Sequence, residues 1–373
     1  MQIDSLRFTG DSLTKGLEVY CVGGAVRDSL LGLKIKDRDW VVVSATPDEM
    51  ESRRFKPVGA DFPVFIHPIS GEEYALARTE RKISKGYHGF SFFTGDVSLE
   101  EDLRRRDFTI NAMAVDREGN LIDPFNGYKD LQDRVFRHVS DSFSEDPVRI
   151  LRLGRFLARF DQFSVAQETI DLCRKMVEEG EIDALVQERV WRELSRALIE
   201  NVPSKFFQIM EKVGAIKILF PNMQVPQKGD YLDRGRNEGF DLIRQYCVFT
   251  SYFPDFIAPQ FAVPREYREY AKSLPLLYEI LKDIQLQPQQ ILEAITIVDG
   301  LRKPSKFLAL LEVVNLLLEN EGPLSHAQWA EIIKLVITVP TADLINLSPL
   351  QIKEHVQNSR LQIIQDYIDD LKA

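Results

Sequence analysis

The stretch GGAVRDSLLGLKIKDRDWVVV, residues 23–43, decides how the N-terminal part of the chain folds. The apolar run EVYCV just before it reads as a buried strand. Gly23 and Gly24 stand where that strand passes into a helix, GAVRDSLLG, which Gly32 closes at the position usual for a left-handed cap residue. DRDWVVVS, rich in β-branched residues, reads as the next strand. A strand bound for a core yet opening on Asp37 and Asp39 asks for a reason. Residues two apart in a strand point to the same side, so the spacing predicts two converging carboxylates. Such a pair repels, each member raising the other's pKa. A bound Mg2+ relieves that conflict, because hard carboxylate oxygens suit it. The commoner meaning of a bare DxD is a charged strand end, here with Lys36 and Arg38 as solvated partners.

The glycines add weight to the first meaning. Glycine lets a backbone approach a ligand closely, and a helix N-terminus offers free N–H groups to phosphate. Gly24 and Arg27, in the first helical turn, are therefore candidates to hold a triphosphate. The plain alternative is a β–α turn with Arg27 paired to Asp28 on the surface. Neither GxxxxGK[ST] nor GxGxxG occurs, so the usual ATPase and dinucleotide sites lose support.

Working outward, FPVFIHP (62–68) and EEYALARTE (72–80) read as further strands around the turn ISG, and LIDPFNG (121–127) as a short strand and turn. KISKGYHGFSFFTGDVSL, residues 82–99, has little helical period and reads as one long, mobile loop. From about residue 140 the apolar spacing becomes helical, as in SVAQETIDLCRKMVEEG and QERVWRELSRALIE, and stays so to the C-terminus. The fold class expected is α+β: a head with a small mixed sheet, then an all-helical remainder.

Two more clusters carry charge in patterns that suit nucleotides. RRRDFTINAMAVD (104–116) sets Arg105, Arg106 and Asp107 before an apolar run containing Asn111. Arginines can hold phosphates and an aspartate can accept from ribose hydroxyls; a charged helix start with Asp107 as N-cap fits as well. In EDPVRILRLGR, Asp146, Arg149, Arg152 and Arg155 recur every three residues and are expected on one helix. An aspartate and an arginine together offer acceptor and donor to a base edge. A salt-bridge ladder explains the stripe less well, since three arginines for one or two acids among Ile150, Leu151, Leu153 and Phe156 want an anionic partner.

The chain has 373 residues, enough for more than one domain, and its net charge of −10 argues mildly against nucleic acid. Arginine is nonetheless concentrated in DLRRRDF and RILRLGRFLARF, which allows a local basic groove. Cys21, Cys173 and Cys247 are odd in number and scattered, as in a cytosolic protein with reduced thiols. No secretory signal and no membrane span is expected, since no apolar run nears the roughly 20 residues needed.

Together GGAVRDSLLG with KDRDW, RRDFTINA, DPFNGYKDL, EDPVRILR and ERVWRE, in that order over roughly the first 200 residues, resemble the class II tRNA nucleotidyltransferases in their bacterial form. That family holds the CCA-adding enzymes and the bacterial poly(A) polymerases, and KDRDWVVV with YALARTERK looks more like the CCA-adding branch. The resemblance implies a nucleotidyltransferase head (1–139), a helical neck (140–200), a body (201–250) and a tRNA-binding tail (251–373). Asp37 and Asp39 would bind catalytic Mg2+, and Gly24 and Arg27 the triphosphate. Arg106 and Asp107 would contact phosphate and ribose. Asp146 and Arg149 would read CTP or ATP, with Arg152 and Arg155 in support. In ERVWRE, Glu188 and Arg192 would brace the reading helix. The partners implied are the 3′ end and acceptor/T-arm of tRNA with CTP and ATP, in the cytoplasm. The 82–99 loop matches one that helps the switch from C to A addition and that enzymes adding only CC tend to lack, which favours complete CCA addition. Many relatives carry a C-terminal HD phosphohydrolase domain; this chain has no HD dipeptide and only 5 histidines, so that activity is not expected.

Overall fold

In the computed structural model, which describes residues 1–58, 63–82, 90–93, 97–259, 261–320, 322–339 and 348–372, the chain divides into two units. The first comprises 1–190 with 212–218 and the second 191–211 with 219–373.

The first unit runs β1 (Glu18–Val22), α1 (Gly24–Leu30), β2 (Asp39–Val43), α2 (Pro47–Ser52), β3 (Lys56–Pro57), β4 (Val64–Ile66) and β5 (Glu73–Leu76). It continues with β6 (Thr79–Lys82), β7 (Phe90–Phe93), α3 (Leu99–Arg104), β8 (Ala114–Val115), β9 (Leu121–Ile122), α4 (Gly127–Gln132) and β10 (Val135–Phe136). α5 (Val148–Arg159), β11 (Ser164–Val165) and α6 (Gln167–Glu178) follow. Among the described residues, strands β3-β4-β5-β2-β1-β8-β9 form one sheet, mixed because β2 and β5 run parallel while the other pairs are antiparallel. Val41, Val43, Val22 and Ala114 on one side of it pack with Val97, Leu103 and Ala112. The alternating burial of β1 and the near-complete burial of β2 follow from their central places.

The 82–99 segment is not one loop. β6 and β7 pair as an antiparallel hairpin, Thr79 opposite Phe93 and Lys82 opposite Phe90, and α3 begins at Leu99 behind a Ser98/Glu101 capping box. Residues 83–89 and 94–96 of the expected loop lie outside the described residues. The run FSFF has strand-forming aromatics that the glycines and serines around it obscured.

The all-helical remainder comprises α7 (Gln187–Leu198), α8 (Ser204–Lys212), α9 (Ile216–Leu219), α10 (Tyr231–Asn237) and α11 (Leu242–Thr250), then α12 (Arg265–Leu281), α13 (Pro288–Ile297), α14 (Pro304–Leu318), α15 (His326–Ile337) and α16 (Pro349–Lys372). In the second unit Phe206, Phe207, Phe220 and Phe249 form an edge-and-face aromatic core. Asp233, buried, accepts from the Ser204 N–H at 2.9 Å and its hydroxyl at 2.7 Å, which caps α8 from a distant helix. The three cysteines are buried and unpaired. Among the described residues, no helix is long and apolar enough to cross a membrane.

Candidate active site

The last pair of the β1–β2 ladder is Val22 with Asp39. Directly beyond Val22 the chain turns at Gly23, whose φ of 71° and ψ of −126° suit glycine alone, and enters α1 at Gly24. Asp39 therefore faces out beside the start of α1, exposed on an otherwise buried strand. Asp37 is not on that strand: β2 begins at Asp39, because β1 ends at Val22 and leaves nothing for Asp37 to pair with. The two carboxylates are neighbours all the same. The Asp39 carboxyl is held above its ordinary value, first by the protein around it and also by the Asp37 charge, while Arg106 works against the shift.

Arg106 completes this rim. A Cβ built on Gly23 would stand 3.0 Å from its Nη1, so the guanidinium lies directly over the glycine turn. One Arg106 nitrogen donates to Asp102 Oδ2 at 3.1 Å, and its Nε is buried without a hydrogen-bond partner. Asp102, fully buried, also accepts from Arg105 at 2.6 Å. Those arginines hold the Asp102 carboxyl below its usual value against the opposing effect of burial. Asp102 is a part of the site that the sequence reading passed over, although its arginines stand three and four places on, the spacing of helical neighbours.

Arg27 is not on the surface. It is 3% exposed, donates to Asp28 Oδ1 through Nε at 2.8 Å and to Asn111 Oδ1 through Nη1 at 2.6 Å, and lies 5.2 Å from the ring centres of both Phe156 and Phe160. Its guanidinium is thus committed to the protein; in the turn itself Gly23 is buried and Gly24 half-buried. Asp107 is buried likewise. Its Oδ1 accepts from the Phe108 N–H at 2.8 Å and from Asn111 Nδ2 at 3.0 Å, and its Oδ2 from Arg152 Nε at 2.8 Å. Burial alone would raise this carboxyl; Arg152 and Asn111 reverse that and bring it down to about 2.

Asp146 precedes α5 rather than lying on it. Pro147 keeps Asp146 extended, at φ −124° and ψ 103°, and the helix starts at Val148. Its carboxylate accepts the Val148 N–H at 3.1 Å and is gripped by Arg189, at 3.0 Å and 2.7 Å. Arg189 of ERVWRE thus reaches the reading segment. Arg149 is buried and donates to the carbonyls of Ser142 at 2.7 Å and Arg105 at 2.6 Å. Arg155 is buried with its guanidinium 4.4 Å from the Phe156 ring centre. The arrangement sorts the candidates: Asp37, Asp39, Arg106 and Gly24 share an open rim. The buried Arg27 and Asp107 and the half-buried Arg152 form a network through Asn111, and Asp146 with Arg149 anchors the start of α5.

A divalent cation fits that rim. Two neighbouring carboxylates with solvent access, one of them raised in pKa by its surroundings first and by the other's charge as well, are hard oxygen donors with an unresolved repulsion. Among the described residues no set of three His, Cys, Asp or Glu side chains is grouped for a metal, so remaining positions would fall to water and phosphate oxygens.

Comparison with known proteins bears on the chain as a whole. Residues 19–137 match the family model of the poly A polymerase head domain, and residues 162–225 that of the probable RNA and SrmB-binding site of polymerase A. The chain is 45% identical to the CCA-adding enzyme of Bordetella pertussis over 95% of its own length and 98% of that protein's. With the CCA-adding enzyme of Coxiella burnetii it is 43% identical over 94% and 96%. Among solved structures it is similar to the Thermotoga maritima CCA-adding enzyme complexed with tRNA, at a TM-score of 0.66 and 25% identity over 100% of this chain and 99% of that one.

Proposed function

The chain belongs to the tRNA nucleotidyltransferase and poly(A) polymerase family, and from that premise we propose that it adds C, C and A to the 3′ end of tRNA from CTP and ATP, releasing pyrophosphate, and restores incomplete CCA ends. The observation that carries this is similarity to a CCA-adding enzyme at 45% identity across 98% of that relative's length. The protein is an enzyme that acts on tRNA and nucleotides. Its four functional divisions are taken as head 1–139, neck 140–200, body 201–250 and tail 251–373, and its location as the cytoplasm, where its substrates are.

In this reading the 3′-hydroxyl of tRNA attacks the α-phosphate in line and pyrophosphate leaves. Asp37 and Asp39 would hold a divalent cation, taken as Mg2+, which would neutralise triphosphate charge and lower the pKa of the attacking hydroxyl. The Gly23–Gly24 backbone lets the triphosphate close to the N-terminus of α1. Arg106 supplies positive charge over that turn. Arg27, Asp107 and Arg152, joined through Asn111, hold the turn against α5. Asp146 and Arg149 read the base edge once nucleotide replaces their present partners. Positioning and electrostatics supply most of the rate, so no covalent intermediate is needed.

The test is primer extension on tRNA transcripts ending before CCA, after C and after CC, with CTP, ATP or both, beside a D37A/D39A control. Addition of C, C and A followed by a stop supports the reading. A added only to the CC-ending transcript makes it an A-adding enzyme. Long A tails make it a poly(A) polymerase, and no incorporation with tRNA still bound removes the enzymatic claim.

A further inference from the structure

α5 is tied to the rest of the first unit by a closed ring of hydrogen bonds. Arg152 on α5 donates to Asp107; Asp107 accepts from Asn111 Nδ2; Asn111 Oδ1 accepts from Arg27; Arg27 donates to Asp28; and Asp28 Oδ2 accepts from Arg159 at 2.8 Å, back on α5. Arg152 and Arg159 are seven residues apart, about two turns, and so lie on one face of the helix. The ring encloses Phe156, whose ring centre is 5.2 Å from Arg27 and 5.5 Å from Arg152. Every member but one is an arginine, which can only donate, or a carboxylate, which can only accept. Asn111 is the exception. Its amide accepts from Arg27 at 2.6 Å and donates to Asp107 at 3.0 Å, and these two partners fix which way the amide points. It is 6% exposed, so water cannot take over either bond.

We propose that Asn111 is a positioning residue that closes this ring, so that the glycine turn and the nucleotide-reading end of α5 hold one fixed geometry before substrate arrives. The inference rests on the nucleotidyltransferase reading. It follows that Asn111 acts on nucleotide binding through Arg27 and Asp107 and takes no part in the chemical step, which belongs to Asp37 and Asp39. Leu in its place would fit the volume and leave both charged partners unmatched; Asp would accept from Arg27 but meet Asp107 acceptor to acceptor.

The experiment measures KM and kcat for CTP addition by the full chain in wild type, N111A, R159M and the double variant, with a thermal melt of each. N111A is expected to raise KM for CTP about 10-fold while kcat stays within about threefold. R159M, which breaks the ring elsewhere, is expected to give a similar rise. The double variant is expected to be little worse than the poorer single one, because a ring opened once gains nothing from being opened again. A merely structural defect would lower the active fraction, hence kcat, at unchanged KM. That result, or effects of N111A and R159M that multiply, overturns the proposal. If wild type adds no nucleotide, the functional reading fails by itself. The ring is then judged from the melts, where additive losses of stability in N111A and R159M refute it and a shared loss supports it.

Discussion

Gly23 and Gly24 adjoin in sequence but have different tasks, and alanine at each separates them. At Gly23 the backbone has φ 71° and ψ −126°, a region open to glycine and costing other residues about 1–3 kcal/mol. The added Cβ would also stand 3.0 Å from Arg106 Nη1, but that is the end of a flexible side chain and can yield. The backbone cost therefore dominates, and G23A is expected to lower the melting transition of the first unit by roughly 3–10 °C. At Gly24 the φ is ordinary for helix, and the nearest atom to an added Cβ is Arg27 Nη2 at 3.6 Å, a normal contact. G24A is expected to melt within about 1 °C of wild type, since alanine suits a helix better than glycine does. In the proposed binding mode the new methyl group would nevertheless crowd the triphosphate beside Gly24. Loss of one close N–H contact to phosphate predicts a KM for CTP raised about 10-fold or more. The assays are scanning calorimetry and steady-state CTP addition on the same preparations. A G23A protein that melts with wild type would refute the backbone argument. Unchanged KM in G24A would refute the claim that phosphate lies against this turn.

Other outcomes follow from the charged groups. Asp107, with its carboxyl brought from 3.8 to about 2, contributes about 2 kcal/mol to folding above pH 4, and that contribution disappears as pH falls through about 2. R152M should be less stable than wild type at pH 7 by about that amount, with the two denaturation curves converging toward pH 2; parallel curves would count against the ion pair. Arg189 grips Asp146 through both of its terminal nitrogens, so R189M should change the ratio of CTP to ATP use several-fold with little change in melting temperature. An unchanged ratio would mean that Asp146 does not read the base. D39N should reduce incorporation about 1,000-fold or more while leaving the fold intact. A melting temperature unchanged or raised is expected for it, because the charged carboxyl is already disfavoured by the surrounding protein and, to a lesser degree, by Asp37.

Much of this was legible because its signals are local. An apolar run, two glycines, a helical period and Gly32 at φ 68° put β1, the turn and α1 in place. The errors are equally informative. A β-branched run shows that a strand exists but not where its ladder stops; that was set by β1, which ends at Val22 and so excludes Asp37 from β2. The Asp146 error could have been avoided. Pro147 forbids its predecessor a helical backbone, and three-residue spacing of charges does not outweigh that. Asp102 also had a readable signal in Arg105 and Arg106.

What no local rule could supply is the partner of each buried charge. Arg27 meets Asn111 across 84 positions, Arg152 meets Asp107 across 45 and Arg159 meets Asp28 across 131. Sequence patterns mark such residues as candidates for phosphate because unpaired arginines beside apolar residues want an anion. Folding satisfies part of that demand internally, with Asp28, Asp107 and two backbone carbonyls. The residues left facing solvent at the rim, Asp37, Asp39, Gly24 and Arg106, are fewer than the motifs suggest, and they are the ones on which substitutions should act on chemistry and triphosphate binding directly. The internal set should act on where those groups stand. The split between KM and kcat, rather than loss of activity as such, is therefore the measurement that tells the two sets apart.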